Sequence, residues 1–423
     1  MKDDDQNLIL AAEGQDCVDC ANQEFYSKFP YPWPPMAFPR LEDPGFEAVM
    51  LNQSIGDFTQ RTVPMDANVW VAGCGTNQAV YTALRFPKGS VIGSDLSSSS
   101  LEMSGRNADK LGIRNLTLRQ ESLNHVTYDG VFDYILCTGV IHHNAEPARV
   151  LANIARALRP HGVLELMVYN RFHRTFMSSF QKAVTIIRSY GGHTRDYARE
   201  LDIAKSLAAA EPIASSAHMH EFIKFNDAHL ADSLIQPVEY SYTVESLNDM
   251  AGECGLELML PCVNQFDVRE KRVWTMHFGT KELEEIVTAM PDVARWQVSN
   301  LLLLEKSPML WFFLRHRTDR GDGRYEMRAN EEFLARTFVP ASTKLRNYFR
   351  GASDLEYKAS SALISYPSEP KLDLVRKVVS HASGQLTMRE ILGKLGVDTA
   401  SRKAITDIRT QTTTTLCPYL RAM

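Results

Sequence analysis

Between residues 67 and 170, short apolar runs alternate with longer amphipathic ones, and that alternation leaves few folds open. The strand candidates are Val69–Ala72, Ser90–Asp95, Leu116–Arg119, Phe132–Cys137 and Val163–Tyr169, with helical stretches near 78–86, 97–112 and 146–158. Runs apolar at successive positions are buried on both faces, and helical crossovers between them make neighbouring strands parallel. The expectation is an α/β fold with a mostly parallel sheet covered by helices on both sides. Residues 171–255 are helical in pattern, with no strand candidate before Leu256–Pro261, and read as an insertion over the sheet's ligand-binding edge. The run Pro308-Met309-Leu310-Trp311-Phe312-Phe313-Leu314 reads as the last strand.

At 423 residues, the chain is longer than one such sheet requires. Residues 1–64 are rich in aromatics and proline, and the five prolines from 30 to 39 forbid a regular helix there. They are expected to form a lid segment. Residues 65–318 then hold the sheet, Arg315–Arg324 is a linker, and 325–423 make a small, mainly helical, winged-helix-like domain. Helices are expected there near 368–383 and 386–395, with Gly384 and Thr387 as caps. The formal net charge of -5 argues against a nucleic-acid partner or an anionic membrane. Seven cysteines at irregular spacing are no disulfide framework, the first residues are acidic, and no run of about 18 apolar residues occurs. A cytoplasmic protein without membrane segments is expected.

The chemistry starts where the first strand ends, at Val71-Ala72-Gly73-Cys74-Gly75-Thr76-Asn77-Gln78. Glycines there let the chain turn sharply into a helix and let a ligand approach the backbone. About 20 residues on, the second strand ends in Asp95-Leu96-Ser97, which places a carboxylate beside the turn, where a ribose diol would lie. A dinucleotide site would want a third glycine where Asn77 stands, and a P-loop would want Gly-Lys-Ser/Thr. S-adenosylmethionine (SAM), a nucleoside cofactor without phosphate, suits the abbreviated turn.

With these residues the chain resembles the class I SAM-dependent methyltransferases, in order through about 100 residues. Gly73-Cys74-Gly75 looks like the family's first motif, Asp95 like its ribose-binding acid and Gln120-Glu121-Ser122-Leu123 like its adenine contact. Phe132–His143 resembles the fourth-strand motif and Ala157–Leu164 the turn after it. The resemblance implies a Rossmann-like, seven-stranded sheet. It also implies cofactor contacts from Ala72, Gly73, Cys74, Gly75, Gln78, Asp95, Leu96, Ser97, Glu121, Ser122, Leu123, Thr138 and Gly139. Val71 stands where most members carry an acid, so the methionyl amine would be met by Gln78, Gln53 or the N-terminal segment. Phe29–Trp33, Ala231–Pro237 and Tyr242-Thr243-Val244 are similar to a bacterial subgroup bearing a regulatory-type C-terminal domain.

Candidates for the chemistry itself are His142, His143 and Tyr169, each able to take a proton from an acceptor. Acceptor contacts are expected from Tyr26, Tyr31 and Trp33, whose faces stabilise a sulfonium, and from Arg171, His220, Asp232 and Tyr242. No metal is expected: Cys17 and Cys20 make only half a zinc site, with Cys254 and Cys262 distant in sequence. The implied reaction is in-line methyl transfer to a small molecule, with S-adenosylhomocysteine as product. Specialised metabolism would suit it. A peptide or carrier-bound substrate and a non-catalytic SAM-binding regulator are the alternatives, and the C-terminal domain or the insertion could carry a homodimer contact.

Overall fold

The computed structural model describes residues 15–32, 35–191, 196–216, 219, 224–264, 279–302, 309–317, 323–351 and 357–423. Its strands in chain order begin with β1 (Ala37–Leu41), which lies outside the central sheet. The sheet is built from β2 (Asn68–Ala72), β3 (Ser90–Asp95), β4 (Leu116–Gln120), β5 (Phe132–Thr138), β6 (Leu158–Tyr169), β7 (Leu256–Pro261) and β8 (Met309–His316). Across it the order is β4-β3-β2-β5-β6-β8-β7. The first five strands run parallel, whereas β8 is antiparallel to both β6 and β7. The expected final strand is therefore last in the chain but sits one place in from the edge. Part of the expected linker, Arg315 and His316, belongs to it.

Burial explains this order. Val69, Trp70, Val71 and Ala72 are fully buried in β2, and the facing register pairs Val69 with Val91 and with Tyr134. Helix Gln78–Arg85 covers one face through Ala79, Val80, Ala83 and Leu84. Helix Pro147–Ala157 buries Val150, Leu151, Ile154 and Ala155, the three- and four-residue spacing of one helical stripe. Strand order reverses at β2, which has β3 on one side and β5 on the other. Open parallel sheets bind ligands at the carboxyl ends of the strands flanking such a point. Here those ends carry Ala72, Asp95 and Thr138.

A second core lies above that crevice. The insertion supplies helices Arg171–Tyr190, Tyr197–Ala208, Asp227–Leu234 and Val244–Glu253. The first three pack against an N-terminal helix, Gln15–Lys28, through Phe25, Phe29, Met177, Phe180, Leu201, Leu230 and Leu234. Val18, Ala21, Asn22 and Phe25 form its buried stripe. The prolines begin only at Pro30, two residues after the helix ends.

Residues 325–423 hold the helices Tyr325–Ala335, Asp373–His381, Met388–Lys394 and Arg402–Thr410 together with β9 (Phe338–Pro340), β10 (Thr343–Arg350), β11 (Tyr357–Ala359), β12 (Ile364–Tyr366) and β13 (Leu420–Ala422). Thr387 caps its helix in a reciprocal capping box with Glu390. The region is tied to the N-terminal part of the chain: β1 pairs antiparallel with β10, with Leu41 opposite Leu345. Arg402 reaches Asp292 and Glu326, and Phe58 packs on Phe333 and Phe338. Among the described residues no helix is long and apolar enough to cross a membrane.

Candidate functional site

The glycine turn is a cradle that side chains would fill. Gly73 and Gly75 have φ of +72° and +52°, and the Gly73 and Cys74 amides donate to the Ser94 carbonyl at 2.8 Å. A Cβ on Gly73 would lie 2.4 Å from a Val140 methyl, and one on Gly75 would lie 2.6 Å from the Tyr31 carbonyl oxygen. The N-terminal segment thus lies directly over the turn, where Thr76 Oγ1 also donates to the Pro32 carbonyl. Asp95 closes the cradle from β3. Its Oδ2 accepts the Gly75 amide at 2.8 Å and its Oδ1 the Ser97 amide at 2.9 Å. A carboxylate has about four lone-pair positions, so two remain for ligand hydroxyls. Burial pushes its pKa up, partly offset by these amides, and a diol donating to it would favour the charged form.

Gly73, Cys74, Gly75, Gln78, Asp95, Leu96, Glu121, Leu123, Thr138 and Gly139 all line one cavity of about 580 Å³. That is within the usual range for a nucleoside-sized ligand plus a small second molecule. Gln78 Nε2 donates to Thr138 Oγ1 at 2.7 Å, joining the glycine turn to the end of β5. Three acids, Asp95, Glu121 and Asp232, line the cavity, and no lysine or arginine does so among the described residues. The acidic lining favours a cationic nucleoside over a phosphorylated one.

The far end of the cavity is built by three tyrosines around one carboxylate. Tyr26 donates to Asp232 Oδ1 at 3.0 Å and Tyr169 to Oδ2 at 3.3 Å, with Tyr31 also in the lining. Burial and the nearby Asp232 raise all three phenol pKa values, so they remain protonated. Behind Tyr169, the Arg174 guanidinium lies 4.2 Å from its ring centroid and is clamped through Nε and Nη2 on Glu239. Both partners of that pair are buried.

The two histidines differ. His143 lines the cavity, and its Nδ1 lies 2.8 Å from the Val238 carbonyl. A carbonyl only accepts, so Nδ1 carries the proton and Nε2 the lone pair in the neutral ring. His142 does not line the cavity. Its ring is fully buried, 4.1 Å from the Tyr169 ring and 4.2 Å from that of His143, and neither nitrogen has a hydrogen-bond partner among the described residues. Burial, followed by the proximity of His143 and Arg174, lowers its pKa well below the usual histidine value. It is neutral and out of reach of an acceptor, which corrects its assignment to the chemistry.

Other expectations are placed elsewhere. Gln53 is fully buried away from the cavity, its carboxamide bonded to the Leu420 carbonyl and the Ala422 amide, so it meets no cofactor. Ser97 spends its hydroxyl capping helix Ser98–Lys110, and Ser122 donates to Asp19. Ala72 is buried in β2 beneath the cavity. Arg171 donates to the Ser241 carbonyl and Tyr242 is packed in the sheet core, so neither lines the site. Trp33 and His220 lie outside the described residues, as do His218, Glu221 and the Cys17 side chain. Cys254 donates to Ala148 O and Cys262 is buried in the core; among the described residues no three His, Cys, Asp or Glu side chains gather as metal ligands.

Sequence reasoning missed Asn22, which lines the cavity and donates to the His143 carbonyl at 2.7 Å while accepting from Gln236. Its helical stripe with Val18 and Phe25 was the available signal. It also missed Arg174, one turn beyond Arg171, whose partner Glu239 is 65 residues away and carries no local pattern.

Residues 67–205 match a family described as a methyltransferase domain. The chain is 27% identical over 284 residues to an uncharacterized protein of Synechococcus sp., covering 65% of this chain and 66% of that one. It is 26% identical to a ubiquinone biosynthesis O-methyltransferase of Psychrobacter arcticus, over 30% of this chain and 50% of the relative. With a trans-aconitate 2-methyltransferase of Deinococcus radiodurans it shares 30% identity, over 30% and 48%. The chain thus spans about half to two thirds of the length of these curated relatives. The structure of PKMT2 from Rickettsia typhi is similar at a TM-score of 0.55 and 14% identity, covering 92% of this chain and 77% of that one. The same protein in complex with AdoHcy gives 0.53. These likenesses establish the Rossmann-like methyltransferase fold.

Proposed function

We propose, from the premise that residues 67–205 belong to the class I SAM-dependent methyltransferase family, that the protein moves a methyl group from SAM to a small-molecule acceptor. The observation that carries this reading is the glycine cradle and Asp95 opening into the same cavity as Tyr169, His143 and Asp232. In it, Asp95 and Leu96 hold the ribose, Glu121 and Leu123 flank the adenine, and Gly73, Gln78, Thr138 and Gly139 hold the methionyl part. Bound there, SAM supplies an electrophilic methyl group on a sulfonium, and S-adenosylhomocysteine is the product.

The chain's own contribution is position, dryness and a proton acceptor. Tyr31 and Pro32 roof the glycine turn, and Asn22 and Tyr26 anchor the preceding helix to His143 and Asp232. The N-terminal segment 1–64 acts in this reading as the lid, and the insertion 171–255 selects the acceptor. Excluding water from a reaction that disperses positive charge favours the transition state, and holding both partners in line supplies much of the rate. His143 Nε2 takes the proton of an acceptor that arrives with one.

Incubation with methyl-labelled SAM and a metabolite extract tests the proposal. Label in a small organic product supports it. Label retained on protein would favour a peptide or carrier-bound acceptor, and binding of SAM without transfer would make the protein a regulator.

A further inference from the structure

The acceptor end of the cavity has the chemistry of a cation site. Asp232 is only 5% exposed, and no lysine or arginine lies within ion-pair distance of it among the described residues. A buried carboxylate without a counter-charge is costly, and two phenol hydrogen bonds offset only part of that cost. Arg174, which lies over the Tyr169 ring, is itself clamped on Glu239 and makes no ion pair with Asp232. The arginine expected to greet a carboxylate, Arg171, is turned to the Ser241 carbonyl. Around Asp232 stand the protonated phenols of Tyr26, Tyr31 and Tyr169, whose hydroxyl oxygens keep lone pairs for an ammonium.

On the methyltransferase reading above, we infer that the acceptor is a basic amine, whose ammonium form is recognised by Asp232 amid Tyr26, Tyr31 and Tyr169. An anionic acceptor would meet a desolvated carboxylate of like charge, and an alcohol would leave that charge unmatched. The amine lone pair forms the new N–CH3 bond, the C–S electron pair stays on sulfur, and the positive charge passes to nitrogen, where Asp232 faces it. Before attack the ammonium gives up one proton to His143, a lining residue whose Nδ1 is held on the Val238 carbonyl and whose Nε2 is the accepting nitrogen.

Three isosteric probes test the inference on the full chain saturated with S-adenosylhomocysteine: n-butylamine, n-butanol and n-butyrate at pH 7.5, with affinities from ligand-observed NMR titration. The amine is expected to bind at least tenfold more tightly than either of the others. Asp232→Asn, which keeps the size and one acceptor oxygen but removes the charge and turns the other oxygen into a donor NH2, should erase that preference while leaving S-adenosylhomocysteine affinity within threefold. Equal binding of the three probes, binding of none of them by protein that holds S-adenosylhomocysteine, or an undiminished preference in Asp232→Asn overturns the inference and leaves the methyltransferase reading standing. Failure of the wild-type protein to bind S-adenosylhomocysteine at all defeats the methyltransferase reading, and with it this inference. Should Asp232→Asn alone lose S-adenosylhomocysteine, Tyr26→Phe replaces it: a fall of less than twofold in amine affinity would then count against the inference.

Discussion

His142 offers a test of the site that needs no substrate. Its ring is fully buried between Tyr169 and His143, both ring nitrogens lack partners among the described residues, and its pKa is driven far below the usual 6.5. In the unfolded chain the same imidazole titrates near 6.5. A histidine depressed in the folded state contributes stability above its unfolded pKa and loses it as pH falls, because only the unfolded state takes up the proton. The loss relative to pH 8 is bounded above by RT ln(1 + 10^(6.5 − pH)), which is at most about 1.4 kcal/mol at pH 5.5 and at most about 2 kcal/mol at pH 5.0. Other titrating groups contribute to the pH dependence of the whole protein, so the measurement is a double difference. Urea unfolding is followed at pH 8.0 and 5.5 for the wild type and for His142→Phe, a ring of similar shape that cannot titrate and keeps the contact with Tyr169. The variant should lose less on acidification than the wild type does, by up to about 1.4 kcal/mol. Identical losses in the two proteins would show that His142 is not buried as a neutral ring, and the packing described around Tyr169 would be wrong.

Two further substitutions probe the roof of the cavity and its boundary. Gly75→Ala forces a side chain into a φ of +52° and places its Cβ 2.6 Å from the Tyr31 carbonyl. The cost should be about 1–3 kcal/mol in urea unfolding, with weaker binding of S-adenosylhomocysteine as the roof is displaced. Gln53→Leu removes the partner of the buried Leu420 carbonyl and Ala422 amide, so a loss of about 1–3 kcal/mol is expected. Calorimetry should find its S-adenosylhomocysteine affinity within twofold of wild type, whereas a tenfold loss would restore Gln53 to the cofactor site.

The sheet was legible because its strands are continuous apolar runs and its helices carry one buried stripe each. Ser90–Asp95 and Leu256–Pro261 match their observed strands residue for residue. The glycine cradle was legible because backbone geometry dictates it: the turn at Gly73 and Gly75 takes positive φ, which glycine adopts freely, and the register of a parallel sheet carries Asp95 to its side. The acceptor end is assembled from distant elements: Tyr26, Tyr169 and Asp232 are each legible as candidates, but the contacts that join them, and Asn22 beside them, carry no local pattern. Asn22, Tyr26, Tyr169 and Asp232 come from three segments that no periodicity links. Arg171 and Arg174 look alike in sequence; only the fold decides which is locked on Glu239. Gln53 failed for a related reason. A single glutamine carries no sign of whether it faces a ligand or, as here, a backbone more than 350 residues away.

The central claim is that the cradle of Gly73, Gly75 and Asp95 holds the nucleoside of SAM. Calorimetric titration of S-adenosylhomocysteine into the wild-type protein and into Asp95→Ala tests it most directly. One site per chain is expected in the wild type and at least a tenfold weaker Kd in the variant, about 1.4 kcal/mol or more, with the fold intact by circular dichroism. Absence of wild-type binding, or equal affinity in the two proteins, would contradict it.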